Sequence, residues 1–387
     1  MQFEFATAGR ILFGAETVKQ AAPAAKEFGR RALLVTGRSP DRAQSLAKAL
    51  NAAGVSCALF SIETEPTLEM IARGLEAARR EARDFVVSFG GGSVIDAGKA
   101  IAALLTNPGE LMDYLEVIGK GQPLRAASAP FIAIPTTAGT GSEVTRNAVL
   151  ASPEHQVKVS LRSPHMLPRL AIIDPELTSG LPPAATASSG CDALSQLIEP
   201  YVSSRANPLT DGFCLEGLRR VGRSLRRAYH DGASVEARTD MSLAALLGGI
   251  SLANAGLGIV HGFAGPIGGM FAAPHGALCA ALLPFGMQSN IKALRARNPA
   301  SEALGRYRVI ASILTGKPDA RPEDGVEWVG DLCRELQTPP LAAYGVTLKD
   351  VPVLVEKASR ASSTRGNPIE LTPGEMGEML MEAIGGC

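Results

Sequence analysis

The chain has 387 residues, 46% of them apolar and only 5% aromatic, which is material for two domains or one large one. Its 38 basic and 38 acidic residues cancel, so no general attraction draws it to nucleic acid or anionic lipid. No apolar run reaches the about 18 residues of a spanning helix, and the opening MQFEFATAGRILFG lacks the apolar stretch of a secretory signal; a cytoplasmic chain with no membrane or nucleic-acid partner is expected.

In chain order, residues 31–36 (RALLVT) read as a buried strand ending at Gly37, and residues 40–53 have helical spacing that stops at Gly54. A strand follows at 55–62, an amphipathic helix at 68–82, a strand at 84–89 (DFVVSF) and a helix at 94–105. Later strands are expected at 131–134 (FIAI), 157–161 and 170–173 (LAII). Such alternation predicts a mostly parallel sheet with helices on both faces. Beyond the turn-rich DPELTSGLPP the β-branched runs fade, and helical patterns cover 186–203, 209–230, 235–254 and 276–292. An α/β domain over 1–180 and a helical domain over 181–387 are therefore expected. Cys57, Cys191, Cys214, Cys279, Cys333 and Cys387 form no CxxC pair and read as reduced thiols used as small core residues.

In FVVSFGGGSVIDAGKA a buried strand runs through Gly90, Gly91, Gly92 and Ser93 straight into a helix. Glycines let the backbone approach a ligand closely, and the helix N-terminus offers unpaired N–H groups and partial positive charge. The pair makes a pyrophosphate site, although the spacing is not GxGxxG and a tight turn without ligand reads the same way. A second polar loop, PTTAGTGSEVT (135–145), follows the strand FIAI. Its hydroxyls suit ligand binding at the carboxyl edge of a parallel sheet, or simply cap the next element.

Asp192 and Gln196 lie one helical turn apart, sharing a face, and His261 and His275 sit in GLGIVHGFAGPIGGMFAAPHGA. One carboxylate, two imidazoles and one amide oxygen make a donor set for a divalent metal with an open position. The same residues also read as core histidines and a helix-cap carboxylate, and spacing alone leaves both open.

GGGSVIDAGKA, PTTAGTGSEVT, DALSQLIEPYVS and HGFAGPIGGMFAAPHG follow one another as in the iron-containing (group III) alcohol dehydrogenases, which the chain resembles over nearly its whole length; GRILFG and GNPIELT are similar to that family too. The resemblance implies a Rossmann-like α/β nucleotide-binding domain, an all-α metal- and substrate-binding domain with the fold shared by dehydroquinate synthase, and a cleft between them. It implies interconversion of small aldehydes and alcohols. The pyrophosphate would rest on Gly91, Gly92 and Ser93, with Asp96 in the same stretch, and the nicotinamide half on Thr136, Thr137 and Thr140. Lys158 would contact the ribose, and Leu177 would pack near the cofactor.

By the same resemblance Asp192, His261 and His275 are the catalytic ligands of Fe²⁺ or Zn²⁺. Gln196 stands where the family has a histidine ligand, and its amide oxygen is a weaker donor than imidazole. Gly265 stands where many members carry a histidine of the proton relay, which leaves the relay to water, the cofactor ribose or another side chain. Asn147, Leu252 and Leu257 correspond to the substrate pocket. Gly37 and Arg38 follow the strand after which NAD-preferring members carry an aspartate. A 2′-phosphate there meets no repulsion and has an arginine to pair with, so NADP, or use of both nucleotides, is expected. Family members are often dimers or larger, and a homo-oligomer is expected here.

Gln196 and Gly265 also move the chain a step toward the related maleylacetate reductases, which act on keto acids without metal, while Asp192, His261 and His275 move it back. A dehydroquinate synthase-like lyase would need a phosphate-binding basic cluster in the helical half, which is not evident. A redox-silent binding protein would have lost the cradle or the ligands.

Overall fold

Strands apolar on both sides must be covered on both faces, and the first unit of the chain, Ala6–Thr137 with Gly141–Thr178, is built that way. The structure is a computed structural model that describes residues 2–386. Its strands are β1 (Ile11–Phe13), β2 (Arg31–Thr36), β3 (Ser56–Ser61), β4 (Phe85–Gly90), β5 (Phe131–Pro135), β6 (Asn147–Ser152), β7 (Val157–Arg162) and β8 (Leu170–Ile173). Between them run α1 (Ala21–Ala25), α2 (Gln44–Ala52), α3 (Leu68–Arg80), α4 (Gly92–Thr106) and α5 (Leu111–Tyr114). Six strands form one parallel sheet in the order β1-β8-β5-β4-β2-β3.

Strand periodicity divides the apolar residues between two clusters. Ala32 and Leu34 of β2, Phe85, Val87 and Phe89 of β4, and Ile132 and Ile134 of β5 face α1 and α2. Leu33, Val35, Val86, Phe131 and Ala133 face α3 and α4. Phe85 is fully buried, and truncation to alanine there would cost about 3–5 kcal/mol. α3 starts where Thr67 accepts from the Met70 N–H at 3.2 Å, a side-chain cap. α4 lies close on β4: a Cβ at Gly98 would stand 2.0 Å from Ser88 Oγ, so only glycine fits.

Two expectations change. Residues 157–161 do form a strand, but β7 pairs antiparallel with β6, which the sequence reading leaves unassigned, and the two stand apart from the parallel sheet. Their alternating burial marks a half-covered ribbon. β1 is too short to read as a strand, and the helix at 40–53 opens with a 3₁₀ turn, Pro40–Ala43.

The second unit is Ser179–Cys387 with Ala138–Thr140 and Met1–Phe5. Its helices are α6 (Pro183–Val202), α7 (Pro208–His230), α8 (Val235–Ala255), α9 (Ile259–Met270), α10 (His275–Arg297), α11 (Glu302–Thr315), α12 (Pro322–Glu335), α13 (Val351–Arg360) and α14 (Pro373–Gly385). α6 is packed by α7, α8 and α10 and is buried without a break from Gly190 to Val202. A helix covered all round has no solvent for its polar groups, so each of them needs a partner. The five described cysteines are unbridged, four buried and Cys57 half-buried; Cys387 lies outside the described residues. No single helix among the described residues is long and apolar enough to cross a membrane, and α8 and α9 pass that test only as a pair bent by 99°.

Candidate metal centre and nucleotide cradle

Three helices of the second unit bring polar side chains to one buried point. α6 supplies Asp192 and, one turn on, Gln196; α9 supplies His261 in its first turn; α10 opens with His275 and carries Cys279 one turn later. His261 Nε2 stands 3.4 Å and His275 Nε2 3.9 Å from Asp192 Oδ1. Cys279 Sγ lies 3.7 Å from each of those imidazole nitrogens. The donor atoms of Asp192, His261, His275 and Cys279 all lie within 4.8 Å of one another. The glycine after His275 has a steric cause: a Cβ at Gly276 would stand 2.3 Å from the Ser188 carbonyl, so this glycine lets α10 start directly against α6.

The sequence reading misses the support behind these donors. Glu199, two turns beyond Asp192, places Oε2 2.6 Å from His261 Nδ1 and accepts the Val260 N–H at 2.7 Å through Oε1. Glu199 thereby fixes the imidazole through Nδ1 and turns Nε2 toward Asp192 and Cys279, the carboxylate–histidine pairing of metal sites. Asn367, in the GNPIELT stretch, accepts the Ile259 N–H at 3.1 Å and is held by Asn290. Two side chains thus satisfy amide groups that the start of α9 leaves open. The signals were present: Glu199 follows Asp192 by two turns on one face, and Cys279 follows His275 by one turn.

The electrostatics are mutual. Burial alone pushes the Asp192 carboxyl up, but the hydrogen bond from His261 and the charges of His275 and His261 outweigh it and hold the group below the usual carboxylate range. Burial works downward on the imidazoles, yet Cys279 and Asp192 hold both above the ordinary histidine value, His261 well above. The Cys279 thiol is pushed up by burial and drawn below its ordinary value by His261 and His275. Gln196 Nε2 donates to Asp192 Oδ1 at 2.9 Å, while its Oε1 is buried with no hydrogen-bond partner, a state costing about 1–3 kcal/mol. Convergent anionic and imidazole donors beside an unsatisfied amide oxygen fit a divalent cation.

The cradle belongs to the first unit. β4 passes through Gly91, the N-cap of α4, and the first N–H groups of a helix have no helical partner; here they are those of Gly92 and Ser93, both half-buried. Thr137 faces this turn, since a Cβ at Gly91 would lie 3.4 Å from its methyl group. Thr136 is buried and its N–H donates to the Gly90 carbonyl at 2.9 Å. Thr140 belongs to the Ala138–Thr140 segment of the second unit. Gly37 ends β2, where a Cβ would touch Val94 at 3.7 Å. Arg38 beyond it is exposed and makes no hydrogen bond or ion pair with any described residue.

Asp96 and Lys99 fasten the polar loop to α4. Asp96 accepts from Ser142 Oγ and from the Val149 N–H at 2.9 Å. Lys99, fully buried, donates to the Ser142 carbonyl (2.7 Å), Ser142 Oγ (3.0 Å), Thr145 Oγ1 (2.9 Å) and the Asn147 carbonyl (2.7 Å). Burial lowers the Lys99 pKa to about 8, with Asp96 opposing, and raises Asp96. The sequence reading overlooks Lys99, a charge one turn from Asp96 in an otherwise apolar helix. Lys158 is nearly buried and pairs with Glu65 at 3.3 Å. Leu177 packs on the β-sheet core. Leu252 and Leu257, in the second unit, are half-buried at the end of α8 and in the turn after it.

Residues 8–175 match the family described as iron-containing alcohol dehydrogenase, and residues 186–384 match the C-terminal part of the Fe-containing alcohol dehydrogenase family. The chain is 36% identical over 338 residues to alcohol dehydrogenase 4 of Saccharomyces cerevisiae (strain YJM789), covering 87% of this chain and 85% of that one. A crystal structure of 1,3-propanediol oxidoreductase superposes with a TM-score of 0.91 at 32% identity, covering 99% of this chain and 100% of that one. Sulfoacetaldehyde reductase from Bifidobacterium kashiwanohense, solved in complex with NAD⁺, superposes with a TM-score of 0.86 at 26% identity, covering 99% of each chain. With one match on each unit, the chain belongs to the iron-containing alcohol dehydrogenase family and is an oxidoreductase of CH–OH groups.

Proposed function

We propose that this enzyme interconverts small aldehydes and alcohols, using NADP(H) or NAD(H) and a divalent cation, Fe²⁺ or Zn²⁺. The observation that carries the reading is the convergence of Asp192, His261 and His275 on one buried point, with Glu199 fixing His261 from behind. Those three residues hold the cation. Gln196 stands beside them, either as a fourth ligand through Oε1 or as the partner of Asp192 through Nε2. When bound, the cation supplies Lewis acidity to the substrate oxygen and the nicotinamide gives or takes the hydride. Glu199 keeps Nε2 of His261 aimed forward, and Asp192 and His261 are held out of solvent while His275 stays part-exposed.

The backbone N–H groups of Gly91, Gly92 and Ser93 hold the pyrophosphate, with Thr136, Thr137 and Thr140 on the nicotinamide half. Asp96 and Lys99 act on the cofactor by holding the loop at 142–147. Lys158 serves the ribose, and Leu177 packs near the cofactor. Gly37 and Arg38 favour NADP, because an exposed, unpaired guanidinium at the end of β2 suits a 2′-phosphate. For the substrate the candidate residues are Asn147 of the first unit and Leu252 and Leu257 of the second. Gly265 carries no relay group, so the alcohol proton leaves through water or a ribose hydroxyl. Unbridged cysteines among the described residues support a cytoplasmic enzyme, and an edge strand, β3, exposing Leu59 supports pairing between copies. The experiment is aldehyde-dependent NADPH oxidation across short aldehydes, with chelated protein before and after addition of Fe²⁺ or Zn²⁺. Metal-dependent recovery is expected; full turnover by protein shown metal-free by elemental analysis refutes the reading.

A further inference from the structure

We infer that Cys279 is a ligand of the cation, so that the centre is Asp192, His261, His275 and a cysteine thiolate, while Gln196 holds Asp192 by hydrogen bond. The inference deepens the metal reading above and rests on it.

Distances argue for it. With metal–sulfur bonds of about 2.3 Å and metal–nitrogen bonds of about 2.0–2.1 Å, a tetrahedral centre separates sulfur from nitrogen by about 3.6 Å, and nitrogen from oxygen by about 3.3 Å. Cys279 Sγ lies 3.7 Å from His261 Nε2 and 3.7 Å from His275 Nε2. The edges from Asp192 Oδ1 to the same nitrogens are 3.4 and 3.9 Å. Four donors from three helices thus stand near the spacing of a metal centre, all within 4.8 Å of one another, with the Asp192–His275 edge the one that must shorten on binding. Gln196 donates through Nε2 to Asp192 Oδ1 at 2.9 Å, the hydrogen bond expected of a group that orients a ligating carboxylate, while its Oε1 stays without a partner. Cys279 and Asp192 are both fully buried, and solvent reaches the centre on the side of His275, whose side chain is 32% exposed. A thiolate adds a second negative charge to the ligand set and softens it, which favours Zn²⁺ over harder cations.

The test uses the full chain, stripped by chelation and titrated with Co²⁺, with bound cobalt counted by elemental analysis. The wild type is expected to bind one equivalent and to show sulfur-to-cobalt charge-transfer absorption in the near ultraviolet. Cys279→Ser should lose that absorption and weaken cobalt binding by at least the about 10–100-fold that even supporting residues cost. Gln196→Ala should keep the absorption. X-ray absorption of the Zn²⁺-loaded wild type needs no variant and should show one sulfur at about 2.3 Å. One bound cobalt with no sulfur band, or a band that persists in Cys279→Ser, overturns the inference and leaves the metal reading intact. A protein that binds no cobalt overturns both.

Discussion

Glu199→Ala removes a carboxylate that touches no substrate and stands behind only one proposed ligand, which makes it a clean probe of the metal centre. Glu199 Oε2 holds His261 Nδ1 at 2.6 Å and Oε1 holds the Val260 N–H at 2.7 Å. Alanine leaves both donors buried and unpaired. A hydrogen bond to a charged group contributes about 1.5–3 kcal/mol, and about 1.4 kcal/mol corresponds to a factor of ten. Metal affinity should therefore fall about 10–100-fold, the range found when the carboxylate behind a ligating histidine is lost. Glu199→Gln should fall between the two, since one amide oxygen can serve only one of the donors. The assay is competition for Zn²⁺ against a chromogenic chelator, with circular dichroism confirming the helices. Wild-type affinity in a folded Glu199→Ala protein refutes the assignment of Glu199 as the residue that aims His261.

Arg38→Ala should lower kcat/KM for NADPH about 10-fold or more, by loss of a charge-assisted hydrogen bond, and leave NADH within a factor of about two; equal losses would refute the 2′-phosphate role. Lys99→Met should destabilise the fold by about 3–5 kcal/mol, because Asp96 is left without its buried partner, and should weaken nucleotide binding; denaturant unfolding and nucleotide titration measure both. Glu143 is pushed up to about 7 by burial from an ordinary 4.5. The folded state then binds more protons than the unfolded state between about pH 4.5 and 7, so this group's contribution falls as pH rises through that window and is constant above it. Glu143→Gln should therefore match the wild type near pH 4.5 and exceed it by up to about 3 kcal/mol above pH 7; a pH-independent difference in unfolding free energy would refute the assignment. Gly265→His should fold, because nothing lies within 4 Å of a Cβ there, and should shift the pH profile of alcohol oxidation toward lower pH; an unmoved profile in a folded variant counts against a relay at that position.

The parallel sheet was legible because both its faces are buried. RALLVT, DFVVSF, FIAI and LAII are continuous apolar runs set between helical patterns, and their strands form where those runs stand. β6 was not legible: NAVLAS buries only alternate residues, and it is held in place by β7 and by Asp96, which accepts the Val149 N–H. The Asp96 contact spans 53 residues, a separation that no local pattern reports. Lys99 escaped for a related reason. A charged residue in an apolar helix reads as a flaw until its four oxygen partners on a distant loop are known.

The metal centre shows the same division more finely. The face-sharing of Asp192 and Gln196 is a property of α6 alone, so spacing could offer Gln196 as the fourth donor. The distance from Cys279 to two histidines depends on how α9 and α10 meet α6, and that is a property of packing. Yet α10 repeats the pattern of α6: a ligand in one turn and a polar side chain one turn on, His275 then Cys279 beside Asp192 then Gln196. Two facing helices with the same one-turn spacing offer two places for a fourth donor. A change that weakens the donor on one helix leaves the centre open to capture by a stronger donor on the other. Gln196 is the weaker of the two by chemistry, and its amide nitrogen is already engaged with Asp192. The sulfur of Cys279, equidistant from both imidazoles, is the donor that the packing leaves to complete the set.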